Sequence, residues 1–276
     1  MNIVSIGESC IDLYTDQERA FVGGISLNFT LHAKESGADA VSLITRTGND
    51  NERDQVVALL ENRDINISHV QRLNGQTASC EITLSKNGER SYSPGGYKRG
   101  VLTDFELTDK EWEFIETQDI VVSMFDNSCP FPFVEHLLER PIDGKKVMDF
   151  GDWEDYKGDF GRVLSFLHHL DLAFVSGTQE TIEAFYIHSR NIDGILVVTM
   201  GSDGCAAVLK GSLTSTPART VQCVVDTTGC GDAFQAAFTV SYFKNGDISE
   251  ALIAGSAKGA EVASYLGAFH PQLFNV

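Results

Sequence analysis

The chain has 276 residues, of which 42% are hydrophobic, so it is long enough to bury a large core. Lysine and arginine number 21 against 39 aspartate and glutamate residues, which gives a net charge of −18 at pH 7. This acidic balance disfavours nucleic acids and anionic membranes as partners, and no apolar run approaches the ~20 residues that span a bilayer.

Short apolar runs alternate with helical patterns along the chain. Strands are predicted where the runs are continuously apolar, because strands covered on both faces lack polar alternation. These runs are 3–6, 41–45, 119–124, 145–150, 171–175, 195–200, 205–209 and 221–225. Helices are predicted between most of them, at 26–36, 52–63, 162–169, 179–189, 232–243 and 249–265. The alternation predicts one α/β domain over residues 1–276, with a mostly parallel sheet covered by helices on both faces and ligands at the carboxyl ends of its strands.

One segment departs from this pattern. Residues 77–84 alternate between the two faces of a strand, as in an antiparallel sheet. The pair Asn87-Gly88 is typical of a hairpin turn, and a second strand is predicted at about 90–93. We therefore predict a small antiparallel insertion at about residues 76–100.

The six cysteines are scattered and form no C-x-x-C pair. Several stand in apolar runs, where free thiols behave as small hydrophobic side chains. The N-terminus begins with the strand-like run 3–6, without the basic segment and long apolar core of a secretion signal. We therefore expect a cytoplasmic protein with reduced thiols.

The most informative segment is 226–232, which reads D-T-T-G-C-G-D and follows the apolar run 221–225. A strand that enters a glycine-rich turn opening a helix directs unpaired N–H groups, and the positive end of the helix dipole, at one point. Gly229 and Gly231 let the backbone approach an oxyanion closely, and Asp232 in the first helical turn can accept a proton. An ordinary strand-to-helix turn would contain the same residues. Phosphoryl transfer to an alcohol, however, needs an anion-binding backbone and a proton acceptor together, and this segment offers both.

Other nucleotide motifs are missing from the sequence. It contains no G-x-x-x-x-G-K-[ST], and no G-x-G-x-x-G follows the first strand. The pattern therefore disfavours a P-loop kinase and a Rossmann dehydrogenase. Cys230 stands at the N-terminus of the predicted helix, where a thiol is expected to have a lowered pKa and heightened reactivity.

The segment D-T-T-G-C-G-D-A-F at 226–234 resembles the C-terminal signature of the ribokinase/PfkB sugar kinases. Four further motifs resemble those of this family and occur in its order: Gly23-Gly24 with Asn28, R-T-G-N-D at 46–50, N-G-E-R at 87–90, and V-V-T-M-G-S-D-G at 197–204. The likeness extends from residue 3 to about residue 268. The stretch 92–122 looks most like the fructoselysine 6-kinase branch of the family.

The resemblance implies an ATP-dependent kinase that phosphorylates a hydroxyl of a small sugar by direct in-line transfer. It implies that the insertion at 76–100 is a β lid over the sugar, and that two subunits pair through this lid as a homodimer. It implies Mg²⁺ as a cofactor and a monovalent cation such as K⁺ near the anion hole. Asp226 and Thr228 match positions that help to hold the monovalent cation in relatives. Relatives carry a glutamate that organises water around magnesium, and Glu180 replaces it here after a shift of one residue.

The remaining site residues are also assigned by the resemblance. Asp232 is the catalytic base, and the N–H groups of Gly229, Cys230 and Gly231 form the anion hole. The substrate-binding residues are Asp12, expected in the connection after the first strand, with Gly23, Gly24, Asn28 and Asp149. The nucleotide-binding residues are Thr199, Gly201 and Gly204. A short polar loop or a plain β-turn would contain the same residue types.

The substrate prediction rests on the residues after Asp149. Relatives often have N-x-R where this chain has Gly151-Asp152-Trp153, so an arginine is lost and carboxylates are gained. This change disfavours a sugar acid and suits a neutral or cationic sugar, such as an amino sugar or a sugar–amine adduct of the fructoselysine kind. The alternatives are a nucleoside kinase of the same family and a non-catalytic sugar-binding or regulatory protein that kept the fold.

Overall fold

A computed structural model of the chain describes residues 1–127, 130–156 and 160–270. Its strands are β1 (Asn2–Ile6), β2 (Cys10–Tyr14), β3 (Arg19–Gly23), β4 (Ala40–Thr47), β5 (Val70–Arg72), β6 (Ala78–Leu84), β7 (Arg90–Tyr92), β8 (Ile120–Met124), β9 (Lys145–Asp152), β10 (Leu172–Ser176), β11 (Ile195–Thr199), β12 (Cys205–Leu209) and β13 (Ser212–Thr216). Its α-helices are α1 (Ile25–Glu35), α2 (Asn51–Glu61), α3 (Asp109–Ile115), α4 (Phe133–Glu139), α5 (Phe160–Leu167), α6 (Gln179–His188), α7 (Cys230–Asn245) and α8 (Ile248–Val262).

The described strands form one large sheet in the order β13-β12-β11-β10-β9-β8-β1-β4-β5. Neighbouring strands are parallel from β11 to β5, whereas β12 and β13 are antiparallel additions at one edge. This arrangement confirms the predicted mostly parallel sheet. Towards its carboxyl edge lie Asp149 on β9, Thr199 at the end of β11, and Gly201 and Gly204 in the turn after β11.

Two apolar clusters cover the faces of the large sheet. Successive residues of β11 alternate between them, since Ile195 and Val197 pack in one cluster and Leu196 and Val198 in the other. One cluster includes residues of α3, α4, α5 and α6, and the other includes residues of α1, α2, α7 and α8. The continuous apolar run of β11 is therefore explained by burial on both faces.

A second, four-stranded sheet with the order β3-β2-β6-β7 forms the small β lid. Strands β6 and β7 are antiparallel and lie in the predicted insertion, whereas β2 pairs in parallel with β6 and antiparallel with β3. The hairpin of β2 and β3 was not predicted. Asp12, expected in a connection, lies instead within β2, where its neighbours fix the direction of its carboxylate.

The strand predicted at 221–225 is wrong. These residues have no strand structure, and the chain from 217 crosses α8 on its way to α7. The N–H of Arg219 donates to Ser256 Oγ at 3.0 Å, and the N–H of Val225 donates to the Ala263 carbonyl at 2.8 Å. Hydrogen bonds to α8 and to the residue that follows it therefore hold this segment, which joins no strand of the sheet.

Two further features bear on the predictions. The five cysteines within the described residues are free thiols, and Cys129 lies outside those residues. A search of the same residues found no helix with the length and apolar character that crossing a membrane requires.

Candidate active site

The loop 226–229 turns directly into α7. Gly229 caps the helix with a φ of 77°, and a Cβ at this position would lie 2.6 Å from the Cβ of Ala268. The N–H of Cys230 donates to the Thr227 carbonyl at 3.3 Å, whereas those of Gly229 and Gly231 reach no acceptor within the described chain. A Cβ added at Gly231 would meet nothing within 4 Å. The helix therefore begins at an open space lined by free N–H groups, a cradle that fits a phosphoryl group.

Asp226 holds this loop from within. Its carboxylate is buried and accepts hydrogen bonds from the N–H of Thr228 at 2.8 Å, the N–H of Gly267 at 2.8 Å and the hydroxyl of Tyr14 at 2.6 Å. Both carboxylate oxygens are thus occupied by donors of the protein. The hydroxyl of Thr228 lies buried beside Tyr14. As placed, the Asp226 side chain fits a loop anchor better than a ligand of the monovalent cation.

Asp232 lies in the first turn of α7, and its Oδ2 accepts a hydrogen bond from Asn28 Nδ2 at 2.7 Å. Burial, together with the carboxylates of Asp149 and Glu8, raises the pKa of Asp232 to about 7, against the opposing effects of Asn28 and Arg90. Asn28, predicted to bind sugar hydroxyls, therefore also orients the candidate base. With Oδ2 engaged, Oδ1 is left to accept a proton.

Three more carboxyl groups surround Asp232. Asp12 is buried in β2, where its Oδ1 accepts a hydrogen bond from the thiol of Cys10 at 3.3 Å. Burial, with the charges of Glu8 and Asp232, raises the pKa of Asp12 to about 7. Asp149 accepts from the N–H of Gly151 at 2.9 Å and from Gln235, and burial raises its pKa. Glu8 accepts from the N–H of Ile25 at 3.2 Å, and burial also raises its pKa.

The glycine pair at the end of β3 has two different roles. A Cβ at Gly23 would collide with Asp12 Oδ2, so this glycine makes room for the carboxylate. Gly24 has a φ of 105°, and a Cβ there would lie 2.9 Å from the backbone nitrogen of Cys10. The pair thus lets α1 begin directly against the lid strand and places Asn28 opposite Asp232.

Thr199, Gly201 and Gly204 lie in the turn after β11. The hydroxyl of Thr199 is 3.3 Å from that of Ser176 at the end of β10. Gly204 has a φ of 101°, and a Cβ there would collide with the carbonyl oxygen of Thr216 on β13. Gly201 has a φ of 55° and open space around it. The turn therefore leaves an uncrowded surface at the carboxyl edge, consistent with its assignment to the nucleotide side.

Glu180 lies exposed in the first turn of α6. Among the described residues, no group of three or more histidine, cysteine, aspartate or glutamate side chains could hold a metal ion. The site thus supplies no cage of protein ligands for Mg²⁺. A magnesium ion fits here only as part of a complex with nucleotide phosphates, because Mg²⁺ retains water and phosphate oxygens as ligands.

The expected activation of Cys230 is wrong. Burial raises the pKa of its thiol to about 12, and the carboxylates of Asp226 and Asp232 act in the same direction. Arg90 lowers the pKa by a smaller amount. Burial of the thiol, with the nearby carboxylates, thus outweighs the helix dipole on which the expectation was based.

Sequence reasoning missed three residues of this site, namely Glu8, Tyr14 and Arg90. Arg90 begins β7, and its Nη1 donates to the Thr227 carbonyl at 3.1 Å. Its positive charge lowers the pKa values of Asp12, Asp149 and Asp232. The N-G-E-R motif at 87–90 was a signal for the turn, but nothing in it indicated where the arginine would point.

A large groove lies elsewhere. It is an open groove of about 1030 Å³ along the outer side of α7 and α8, bounded by residues 219–223 and by Val225. Asp12, Asp149 and Asp232 do not line it. Its size therefore does not make it the site of the chemistry.

Comparisons with known proteins agree with this geometry. Residues 1–273 match the sequence model for the pfkB family carbohydrate kinase. The fructoselysine 6-kinase of Shigella flexneri is 29% identical over 271 residues, which cover 97% of this chain and 99% of that protein. A probable sugar kinase from Rhizobium etli has a TM-score of 0.84 at 16% identity, covering 99% of this chain and 96% of that one. The ribokinase of Arabidopsis thaliana complexed with ribose and ATP has a TM-score of 0.75 at 17% identity, covering 100% and 98% of the two chains.

Proposed function

The chain belongs to the pfkB family of carbohydrate kinases, and we propose that its acceptor is a sugar–amine adduct of the fructosamine class. Membership of the family makes it an ATP-dependent carbohydrate kinase. The acceptor class and the roles of individual residues are the proposal. The similarity to the fructoselysine 6-kinase of Shigella flexneri supports it at the level of the whole chain.

In the proposed reaction, the acceptor hydroxyl gives its proton to Asp232 while its oxygen attacks the γ-phosphorus of ATP. The bond from that phosphorus to the bridging oxygen breaks, and ADP leaves with the electron pair. Asn28 holds Oδ2 of Asp232 at 2.7 Å and so directs Oδ1 toward the hydroxyl. The N–H groups of Gly229 and Gly231 donate to oxygens of the transferring group, with Cys230 as the third, weaker donor.

The observation that carries the acceptor class is the crowding of four carboxyl groups, Glu8, Asp12, Asp149 and Asp232. Burial and mutual repulsion raise the pKa values of Asp12 and Asp232 to about 7. An ammonium group bound among them would relieve the repulsion, whereas a sugar acid would add a further negative charge. Gly23, Gly24, Asp12 and Asp149 would line the sugar side of this pocket. A cationic sugar therefore suits it best.

The nucleotide is proposed to lie between the turn at Thr199, Gly201 and Gly204 and the N-terminus of α7. Mg²⁺ would enter bound to ATP, whose phosphates it requires as ligands, and Glu180 is the proposed partner of one of its waters. Thr228 would offer K⁺ a hydroxyl oxygen as a ligand. Asp226 would attract K⁺ only through its negative charge, since both of its oxygens already accept hydrogen bonds from the protein. Dependence of turnover on K⁺ remains to be tested by replacing it with tetramethylammonium.

Residues 1–276 are proposed to act as one kinase domain with its lid insertion at about 76–100. Strands β3 and β7 are the edges of the lid sheet within the described residues. Unpaired edges of this kind bind a further strand readily. We propose that two copies pair through the lid, and sedimentation velocity of the free protein would reveal the dimer.

Turnover would be tested by a coupled ADP-release assay with Mg-ATP. The acceptor panel contains fructosamines, ketoses, amino sugars, sugar acids and nucleosides, each read against a blank without acceptor. We expect turnover with fructosamines, and a loss of about a hundredfold or more in Asp232→Asn. Preference for nucleosides would favour the nucleoside kinase, and saturable binding of sugar and ATP without turnover would favour the non-catalytic protein.

The charge preference has its own test. A fructosamine is compared with an isosteric analogue in which an ether oxygen replaces the amine nitrogen. We expect kcat/KM for the amine to be higher by about tenfold or more, equivalent to about 1.4 kcal/mol. Calorimetry in buffers of different ionisation enthalpy should detect protons released as the cation binds, because its charge lowers the pKa values of Asp12 and Asp232. Equal kcat/KM values would exclude the cationic class.

A further inference from the structure

A buried histidine on α1 binds the segment that follows α8. His32 lies in the last turn of α1, one turn after Asn28, and its side chain has no exposed surface. Its Nε2 is 3.0 Å from the carbonyl oxygen of Ala268. A carbonyl oxygen only accepts hydrogen bonds, so Nε2 carries a proton and donates it to this bond. The imidazole therefore holds Ala268 by a directed contact.

The ring is also held from its other sides. Its Nδ1 is 3.4 Å from Oε2 of Glu35, and the same oxygen binds Nζ of Lys258 on α8 at 2.9 Å. Burial disfavours the charge of Glu35, but its contacts with His32 and Lys258 lower its pKa to about 2. The ring also packs on Phe269, with 5.3 Å between the two centroids. The orientation of the imidazole thus depends on more than its bond to Ala268.

Ala268 lies directly against the turn that opens α7. A Cβ at Gly229 would lie 2.6 Å from the Cβ of Ala268, so a glycine is needed for this close approach. The preceding N–H, that of Gly267, donates to Asp226 Oδ2 at 2.8 Å and holds the same turn from another side. A shift of Ala268 would therefore move the N–H groups of Gly229 and Gly231, which form the proposed anion hole.

Helix α1 thus contacts both parts of the candidate site. Asn28 donates to Oδ2 of Asp232 at 2.7 Å, and His32, four residues later, donates to Ala268. Residues four apart lie on the same face of a helix. One rigid element therefore fixes the candidate base and the turn that carries the anion hole. Phosphoryl transfer requires the two in register, because the acceptor hydroxyl and the phosphoryl group meet between them.

We propose that His32 is a positioning residue for phosphoryl transfer, whose Nε2–H holds Ala268 and thereby keeps the anion hole in register with Asp232. The inference rests on the proposed function, since it requires transfer at Asp232. His32 touches neither substrate and exchanges no proton with them. The acceptor proton still goes to Asp232, and ADP still leaves with the electron pair.

The main test compares His32→Gln with His32→Asn in the coupled assay with Mg-ATP and the best acceptor. The glutamine amide reaches the place of Nε2 and can still donate to Ala268, whereas the shorter asparagine amide reaches only the place of Nδ1 beside Glu35. Both variants lose the ring and its packing on Phe269, so they are matched in that respect. We expect kcat to fall by about thirtyfold in His32→Asn, because a displacement of ~1 Å can cost about a hundredfold. His32→Gln should keep kcat within about threefold of wild type.

Two further readouts separate positioning from a general loss of packing. Urea titration establishes that each variant is fully folded under the conditions of the assay. The complex of ADP with aluminium fluoride mimics the transferring phosphoryl group, so its affinity should fall in His32→Asn by the same factor as kcat. Affinity for ADP alone and KM for the acceptor should stay within about threefold of wild type. A variant that had merely loosened would lose all of these together.

The opposite results are equally distinct. Equal kcat values in the two variants, whether both normal or both reduced, would overturn the role of the bond to Ala268. A loss in His32→Asn that appears only in KM would overturn it as well. Failure of the proposed function has another signature, namely wild-type enzyme without turnover on any acceptor, or full activity of Asp232→Asn. Either result would exclude phosphoryl transfer at Asp232, and the role of His32 with it.

Discussion

Opposing influences set the pKa of Asp232, and its proposed role as the base depends on their balance. Burial and the charges of Asp149 and Glu8 raise its pKa to about 7, while Asn28 and Arg90 favour the ionised form. A base is most effective when its pKa lies near the working pH, because it is then ionised yet still basic. Burial and the neighbouring carboxyl groups thus suit Asp232 to its proposed role in proton transfer at neutral pH.

The pH dependence of turnover follows from this balance. Because the ionised form is the base, kcat/KM should fall as the pH drops through about 7. In Asp149→Asn a repelling charge is lost, so the pKa of Asp232 should decrease and the limb should move to lower pH. Initial rates measured from pH 5 to pH 9 locate this fall in kcat/KM for the wild type and for Asp149→Asn. If the fall in kcat/KM occurs at the same pH in Asp149→Asn as in the wild type, it reports the titration of a group other than Asp232.

Cys230 offers an independent view of the same electrostatics. Its thiol has a pKa of about 12, so almost none of it is thiolate at pH 8. Cys223, exposed on the segment before the loop, has no such burial. Iodoacetamide at pH 8 should therefore modify Cys223 at least about tenfold faster than Cys230, as followed by peptide mass spectrometry. Faster modification of Cys230 would show that the helix dipole prevails over burial and the nearby carboxylates.

At the scale of elements, the junction between the loop and α7 combines two glycines with different requirements. Gly229 needs its left-handed backbone and the space beside Ala268, whereas Gly231 has ordinary helical geometry and open space. The first glycine is required by the fold of the turn, and the second is proposed to leave room for a ligand. Substitution by alanine should separate these roles.

We expect Gly229→Ala to lower the free energy of unfolding by about 2 kcal/mol or more, because strain and a Cβ clash add together. Gly231→Ala should be as stable as wild type or slightly more stable, since alanine is the better helix former. Its methyl group would nevertheless occupy the open space before α7, so KM for ATP should rise by about tenfold. Urea titration and initial rates give the two quantities. Equal stability of both variants would argue against the turn as described.

Most strands of the large sheet were predictable because burial on both faces leaves a continuous apolar run, as in β11, whereas the more exposed edge strands β5 and β13 were not predicted. The same signal failed at 221–225, where the chain binds groups at α8 and not a neighbouring strand. Helices α3 and α4 have seven residues each, too few for helical periodicity to stand out. The hairpin of β2 and β3 lacks a glycine turn, and Glu18 adopts the positive φ of 52° instead.

The residues of the candidate site also differ in how far the sequence could predict their positions. The loop at 226–232 carries its chemistry in consecutive residues, so its role could be inferred from sequence. The bond between Asn28 and Asp232 depends on how α1 and α7 pack side by side, and the position of Arg90 depends on how the lid lies over α7. Such long-range placement leaves no local pattern, and the burial that raises the pKa of Cys230 was missed for the same reason.

At the scale of the whole molecule, a buried hydrogen bond joins the lid to the anion-binding loop. Tyr14, on lid strand β2, donates its hydroxyl to Asp226 Oδ2 at 2.6 Å, and the same oxygen accepts from the N–H of Gly267 after α8. Tyr14 and Asp226 are both almost fully buried. One carboxylate thus ties the lid, the anion-binding loop and the C-terminal segment together, so the geometry of the loop depends on the position of the lid.

The joint can be tested with Tyr14→Phe, which removes the hydroxyl but keeps the ring that packs edge-on against Phe21. A buried carboxylate that loses a donor should lower the free energy of unfolding by about 1–3 kcal/mol. Tyr156→Phe is the matched control, because the Tyr156 hydroxyl is equally buried but donates to the neutral carbonyl of Phe125 at 2.7 Å. Tyr14→Phe should also reduce kcat by about tenfold, since Asp226 would no longer hold the loop in register with Asp232, whereas Tyr156→Phe should leave kcat within about twofold. If both variants lose stability but neither loses kcat, the bond to Asp226 supports only the fold, and the lid does not control the anion-binding loop.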